Sequence, residues 1–204
     1  MKIRLLTAAI PLFLIGCASW RPTLQESIGP TLASWRIEEP TGELIHVASG
    51  YRFAKERQGC ERVNPHVYDE SGENVSVGYN CPNPTLWLTV YIYPTAFGDT
   101  PNPSEHFRLV ISEALAFHEK AKVDIAAEMP LPLGTRTVNG FNAFLHWSEN
   151  KESIGSFAVL IPDGNRFVKV RTSFVLDESD ESALPLKRAW DLTLDVLRSV
   201  GPSP

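Results

Sequence analysis

The sequence holds no Cys-x-x-Cys pair, no His-Glu-x-x-His and no glycine-rich phosphate loop. These absences remove a thioredoxin-like redox centre, a zinc peptidase helix and a nucleotide cradle from the expected chemistry. No Gly-x-Ser-x-Gly elbow occurs either, since Ile154-Gly155-Ser156-Phe157 lacks the second glycine. The five histidines, His46, His66, His106, His118 and His146, include no pair three to five residues apart, so no local metal site is expected. His106 and His118 fall on one expected helix about 18 Å apart at ~1.5 Å per residue, too far to share an ion. In that helix His118 and Glu119 read as a solvated pair. His146 alternates with Leu145 and Trp147 on an expected strand, where it meets a carboxylate only if the fold brings one to it. Positive charge is also scarce: 19 Lys and Arg face 24 Asp and Glu, a net charge of −5, so the basic footprint of a nucleic-acid binder is missing.

Beyond residue 17 no apolar stretch approaches the ~20 residues that span a bilayer as a helix. Before it, the chain is built differently. Lys2 and Arg4 precede an apolar run over residues 5–15 with no acid before Cys17, which is the layout of an export signal. The run is about half the length of a membrane span. The tetrapeptide Leu14-Ile15-Gly16-Cys17 is similar to the lipobox of bacterial lipoproteins. The resemblance implies cleavage between Gly16 and Cys17, with Cys17 carrying an S-diacylglyceryl group and an N-acyl chain. Residues 1–16 are then a signal peptide. Two or more acyl chains suffice as a stable anchor, each buried methylene contributing about 0.8 kcal/mol. Loss of residues 1–16 removes two cations and no acid, so the mature chain is more acidic and lipid rather than charge must hold it at a membrane. By the same resemblance a non-acidic residue after the acylated cysteine, here Ala18, implies transfer to the outer membrane, at its periplasmic face, in a Gram-negative host.

Residues 17–41, with Pro22, Pro30 and Pro40 and no sustained periodicity, read as a tether from the lipid to one domain over residues 42–204. Within the tether Trp35 is expected to dock on the domain. Cys60 and Cys81 remain as an even pair in an oxidising compartment. A hairpin centred between Glu70 and Ser71 sets them opposite each other, within reach of a disulfide. Pro65 marks the first strand of that hairpin as an edge or a bulge.

Residues 44–48, 51–53, 61–68, 74–80 and 85–93 read as strands. In the last, Leu86, Leu88, Val90 and Ile92 alternate with Trp87, Tyr91 and Tyr93, so both faces demand cover. Trp87, Tyr91 and Tyr93 form an aromatic stripe that becomes a binding surface for a glycan or peptide if no helix lies on it. An N-cap at Asn102 or Ser104 opens a helix running to Ala121, with Phe107, Val110, Ile111, Ala114 and Leu115 on one face. Residues 129–134, rich in proline, read as a connection, Asn139-Gly140 as a turn, and residues 154–161 and 166–176 as a hairpin. A last helix over residues 184–200 ends at Gly201. The acidic runs 69–73 and 177–181 read as solvated loops, not as calcium ligands.

The expected fold is α+β, a mainly antiparallel sheet with helices packed on its faces. Gly50-Tyr51-Arg52-Phe53, Arg62, Val77-Gly78-Tyr79, Val90-Tyr91-Ile92-Tyr93-Pro94 and Phe167-Val168-Lys169-Val170-Arg171 resemble a group of uncharacterised bacterial envelope proteins and, more loosely, the PsbP-like α/β/α sandwich. The resemblance implies a binding or assembly role and carries over no catalytic residue; no cofactor is expected. The expected function is therefore a lipid-anchored, non-catalytic module for an unidentified envelope protein, peptidoglycan or other glycan. The alternatives are a periplasmic carrier of a small ligand and an envelope hydrolase whose site is assembled in space.

Overall fold

A computed structural model describes residues 33–95, 102–118, 120–176 and 183–201. Residues 1–32, and with them Gly16 and Cys17, lie outside it, as do 177–182. The elements run β1 (Trp35–Glu38), β2 (Glu43–His46), β3 (Arg52–Phe53), β4 (Glu56–Arg57), β5 (Cys60–Val67), β6 (Val75–Pro82), β7 (Thr85–Pro94) and α1 (Pro103–Phe117). They continue with β8 (Lys122–Leu133), β9 (Arg136–Glu149), β10 (Glu152–Asp163), β11 (Arg166–Leu176) and α2 (Leu184–Ser199). Eight strands form one antiparallel sheet in the order β4-β5-β6-β7-β11-β10-β9-β8, and β1-β2-β3 form a second, smaller one. The α+β class read from the sequence is the class of the structure.

The parity of each strand divides the core into two layers. Leu88, Val90, Val159, Ile161, Val168 and Val170 point to one face, where Leu192, Val196 and Leu197 of α2 and Leu44 and Phe53 of the small sheet bury them. On the other face Ala143, Leu145, Ala158, Leu160 and Phe167 meet Phe107 of α1. Two buried side chains of α1, Phe107 and Val110, anchor it, and Asn102 caps it by accepting the Ser104 N–H at 3.0 Å. The helix ends at Phe117, short of the expected Ala121, because residues from Lys122 onward belong to β8.

Three sequence readings are corrected. Residues 35–38, assigned to the tether, form β1 and pair with β2, so the folded part begins before residue 42. Trp35 packs on the core there as expected, against Phe53. The connection at 129–134 is instead the end of β8; Pro130 and Pro132 are tolerated because β8 is an edge strand bonded only to β9. Asn139-Gly140 is no turn but the interior of β9. Glycine is required there because a Cβ would stand 2.9 Å from both Leu131 Cδ1 and the Leu160 carbonyl. The actual reversal is at Gly134, whose φ of +58° suits glycine.

The Cys60–Cys81 disulfide is present. Arg62 pairs with Tyr79 and Val63 with Gly78, but beyond the bulge between Val63 and His66 the register shifts, so that Val67 pairs with Val75. The bulge holds Pro65, where the sequence called for an edge or a bulge.

Candidate functional site

The α1 face of the sheet is unevenly covered. α1 packs on β9 and β10 and reaches Tyr93 at the end of β7, while among the described residues it makes no such contact with β5, β6 or the Trp87 end of β7. The aromatic stripe on β7 is split by this boundary. Tyr93 is only 9% exposed, its hydroxyl 2.8 Å from Nε2 of His106 on α1 and its ring 5.8 Å from that of Phe167. It is part of the core and leaves the expected binding surface. Tyr91 is half-buried, and Trp87 at the far end is 37% exposed. Tyr68 extends the stripe sideways, stacking on Tyr91 at 6.5 Å and hydrogen bonding to Ser76 Oγ at 3.0 Å.

Next to β7 the sheet carries two cations that sequence reasoning passed over, Lys169 and Arg171. The β11–β7 register sets Lys169 beside Tyr91 and Arg171 beside Thr89. Lys169 Nζ lies 4.3 Å from the centre of the Tyr91 ring and 5.8 Å from that of Tyr93. The Arg171 guanidinium lies 5.6 Å from the Trp147 ring, its Nε donates to Ser156 Oγ at 3.4 Å, and its Nη2 donates to His118 Nε2 at 2.8 Å. Neither cation takes part in an ion pair within the described residues. The signal was present in the sequence: charges two apart inside an otherwise apolar strand put both on one face of a central strand, where a fully covered sheet face would not hold them.

Burial works against both charges. It pushes Lys169 below the usual ammonium range, with Glu113 of α1 opposing the shift and Arg171 adding to it. Burial likewise lowers Arg171, against a smaller contribution from Tyr91. His118 is not the solvated helix residue that its neighbour Glu119 suggested. Its side chain is 13% exposed, stacked on Trp147 at 3.9 Å, and burial followed by the Arg171 charge lowers its pKa. Because Arg171 can only donate, His118 Nε2 is the acceptor and the ring is neutral with its proton on Nδ1, facing Glu149 at 3.9 Å.

On the opposite face, His146 does meet a carboxylate. Its Nδ1 stands 2.7 Å from Asp124 Oδ2, and both line a shallow pocket of about 300 Å³ with Phe144, Leu176, Pro185 and Leu186. The lining offers no hydroxyl, thiol or amine beside the imidazole. His46 is a buried latch: Nε2 donates to the Gly72 carbonyl at 2.6 Å, so Nδ1 accepts from Ser49 Oγ. His66 stacks edge-on with Tyr68 at 4.4 Å. No three His, Cys, Asp or Glu side chains converge to hold a metal ion among the described residues. Asp69 uses Oδ1 to accept the Glu73 N–H, as a turn residue does.

No described helix is long and apolar enough to cross a membrane. No protein-family model matches the chain, and no curated protein does. Among solved structures, a Pseudomonas aeruginosa protein of unknown function, PA94, aligns with a TM-score of 0.44 at 8% identity over 75% of this chain and 90% of its own. LpqN, involved in cell envelope biogenesis of Mycobacterium tuberculosis, aligns with a TM-score of 0.39 at 13% identity over 72% of this chain and 87% of its own. At those scores and identities the two likenesses establish neither kinship nor activity.

Proposed function

We propose that this chain is a lipid-anchored protein of the cell envelope, held through acylated Cys17 at the periplasmic face of the outer membrane, and that its domain is a non-catalytic binding module. The observation that carries the binding role is the sheet face left half open among the described residues, where Trp87, Tyr91 and Tyr68 form an aromatic shelf beside two cations that make no ion pair with any of those residues. Aromatic shelves of this kind stack on the apolar faces of sugars or on peptide side chains, and cations beside them select for negative charge. The lipobox resemblance supports the anchor, and the acidic composition makes such an anchor necessary for membrane residence.

Two measurements test the reading. Radiolabelled palmitate should enter the wild-type chain and not Cys17→Ala; equal incorporation overturns the anchor. A photo-crosslinking residue at Trp87 should capture an envelope partner or glycan that the same residue at Leu109, on the exposed side of α1, does not. Equal capture at the two positions overturns the binding face.

The hydrolase alternative draws on the His146–Asp124 pair, which has the orientation of a general base and its positioning carboxylate. His146→Gln tests it directly, since loss of an envelope-hydrolase activity present in the wild type would favour catalysis. The carrier alternative requires an apolar cavity between sheet and helix. Leu131, Val159, Leu192 and Val196 are packed into one buried cluster between sheet and α2, and the space described on that face is the shallow pocket beside His146, between Phe144 and Leu176 of the sheet and Pro185 and Leu186 of α2.

A further inference from the structure

Two like charges two residues apart on a central strand repel each other, and each loses hydration where it is half-buried. Proteins usually answer such a pair with a carboxylate. Here Lys169 and Arg171 form no ion pair among the described residues, and Lys169 Nζ forms no hydrogen bond there and rests over Tyr91. The Glu113 carboxylate favours the charge on Lys169 without pairing with it. Arg171, by contrast, is held: Ser156 Oγ takes Nε, neutral His118 takes Nη2, and the guanidinium carbon lies over the Trp147 ring, 5.6 Å from its centre. A fork held this way has its remaining donors preorganised for a planar or tetrahedral oxyanion. On the sheet itself their neighbours Ser173 and Thr89 carry neutral hydroxyls, and the carboxylates about the pair are Glu113, which acts on Lys169, and Glu149, 3.9 Å from the His118 ring.

We propose that Lys169 and Arg171 are an oxyanion-binding site that receives a phosphate-bearing group lying along the Tyr91 and Trp87 shelf. The site deepens the binding role proposed above and rests on it. A phosphate ester on a glycan or a lipid headgroup and free phosphate share this chemistry. The cations supply charge and a bidentate fork, and the rings supply a surface for whatever the phosphate is attached to.

The test uses the full-length acylated protein in neutral detergent. Inorganic phosphate, and separately the soluble diester glycerophosphoglycerol, are titrated at constant ionic strength set with sodium chloride while Trp fluorescence and melting temperature are followed. Phosphate should raise the melting temperature saturably where chloride does not, because it binds only the folded chain. A response to both probes identifies a site that accepts diesters, and a response to phosphate only identifies one that needs a terminal phosphate; both support the proposal. No response to either overturns it. Lys169→Met should lower phosphate affinity at least tenfold and raise the melting temperature of the ligand-free protein, since it removes a half-buried cation that has no ion-pair partner among the described residues. A destabilised Lys169→Met that still binds phosphate would show that the cation is structural and overturn the site. Arg171→Lys, which keeps charge and loses the fork, should weaken phosphate at least fivefold, and unchanged affinity counts against the fork. Glu113→Gln should tighten phosphate, because it withdraws the carboxylate that competes for Lys169. Capture at Trp87 without any phosphate effect would sink this site and leave the binding role standing.

Discussion

Arg171 donates a 2.8 Å hydrogen bond to His118 Nε2, which ties a permanent cation to a ring that must stay neutral for the contact to survive. His46 and His106 are also held below their ordinary pKa, both mainly by burial, and Lys169 adds repulsion at His106.

Acidification should therefore destabilise the fold through these rings. Their folded-state pKa values lie below the unfolded value of about 6.5, so below that pH the unfolded chain binds more protons than the folded one. The stabilisation is complete above about pH 6.5 and is lost as pH falls through the folded-state values. Melting temperature measured from pH 7.5 to 5 should fall, and His118→Gln should flatten part of that slope while its amide oxygen still accepts from Arg171. A slope unchanged by His118→Gln would show that this ring carries none of the effect.

The buried hydroxyl pair between β11 and α2 should respond asymmetrically to mutation. Thr193 Oγ1 donates to the Ala189 carbonyl at 2.7 Å, so the Thr172 hydroxyl is the donor in the 2.7 Å bond between the two threonines. Thr193→Val leaves the Thr172 donor buried without an acceptor and should cost about 1–3 kcal/mol. Thr172→Val leaves Thr193 bonded to Ala189 and should cost about 1 kcal/mol or less. Urea unfolding of the two variants distinguishes this from a symmetric packing effect, which would give equal losses.

Gly140→Ala should destabilise the sheet although alanine is a milder residue in a strand. The added Cβ meets Leu131 Cδ1 and the Leu160 carbonyl at 2.9 Å and Ile161 Cγ1 at 3.0 Å, so neighbouring strands must shift. Overpacking of this kind costs about 1–3 kcal/mol, readable as a lowered denaturation midpoint. A neutral substitution would mean that both flanking strands, β8 and β10, yield freely.

Replacing Cys60 and Cys81 together by serine should lower stability by about 3 kcal/mol, the chain-entropy contribution of a cross-link at a sequence separation of 21. Thiol titration of the exported, denatured wild-type chain should find neither cysteine free. Two titrating thiols would contradict the pairing.

The strand and helix pattern was legible because alternation on β7 and three-and-four spacing on α1 and α2 are strong local signals. The cystine was legible by a more indirect route. A turn one half-residue away from the assumed centre and a bulge at Pro65 offset each other, so Cys60 still faces Cys81. What stayed hidden was set by neighbours distant in sequence. Gly140 and the proline pair 130 and 132 carry turn-like propensity, and only the adjoining strand and the sheet order explain their place in strands. Lys169 and Arg171 were visible as residues but not as a site, since nothing local says that α1 covers Tyr93 and stops short of Trp87.

The two ends of the large sheet are closed to newcomers in different ways. β4 offers two residues, too few to template another strand, whereas β8 is twelve residues long and, among the described residues, unpaired on its outer side. On β8 the positions of Pro130 and Pro132 are those whose amide nitrogens point away from β9, and both lack the hydrogen that an incoming strand would need. Molecules fastened to one surface by lipid meet each other far more often than they would in solution. Copies held by the proposed lipid anchor would be kept from polymerising by this pair of prolines, set on the long edge where stacking would otherwise begin.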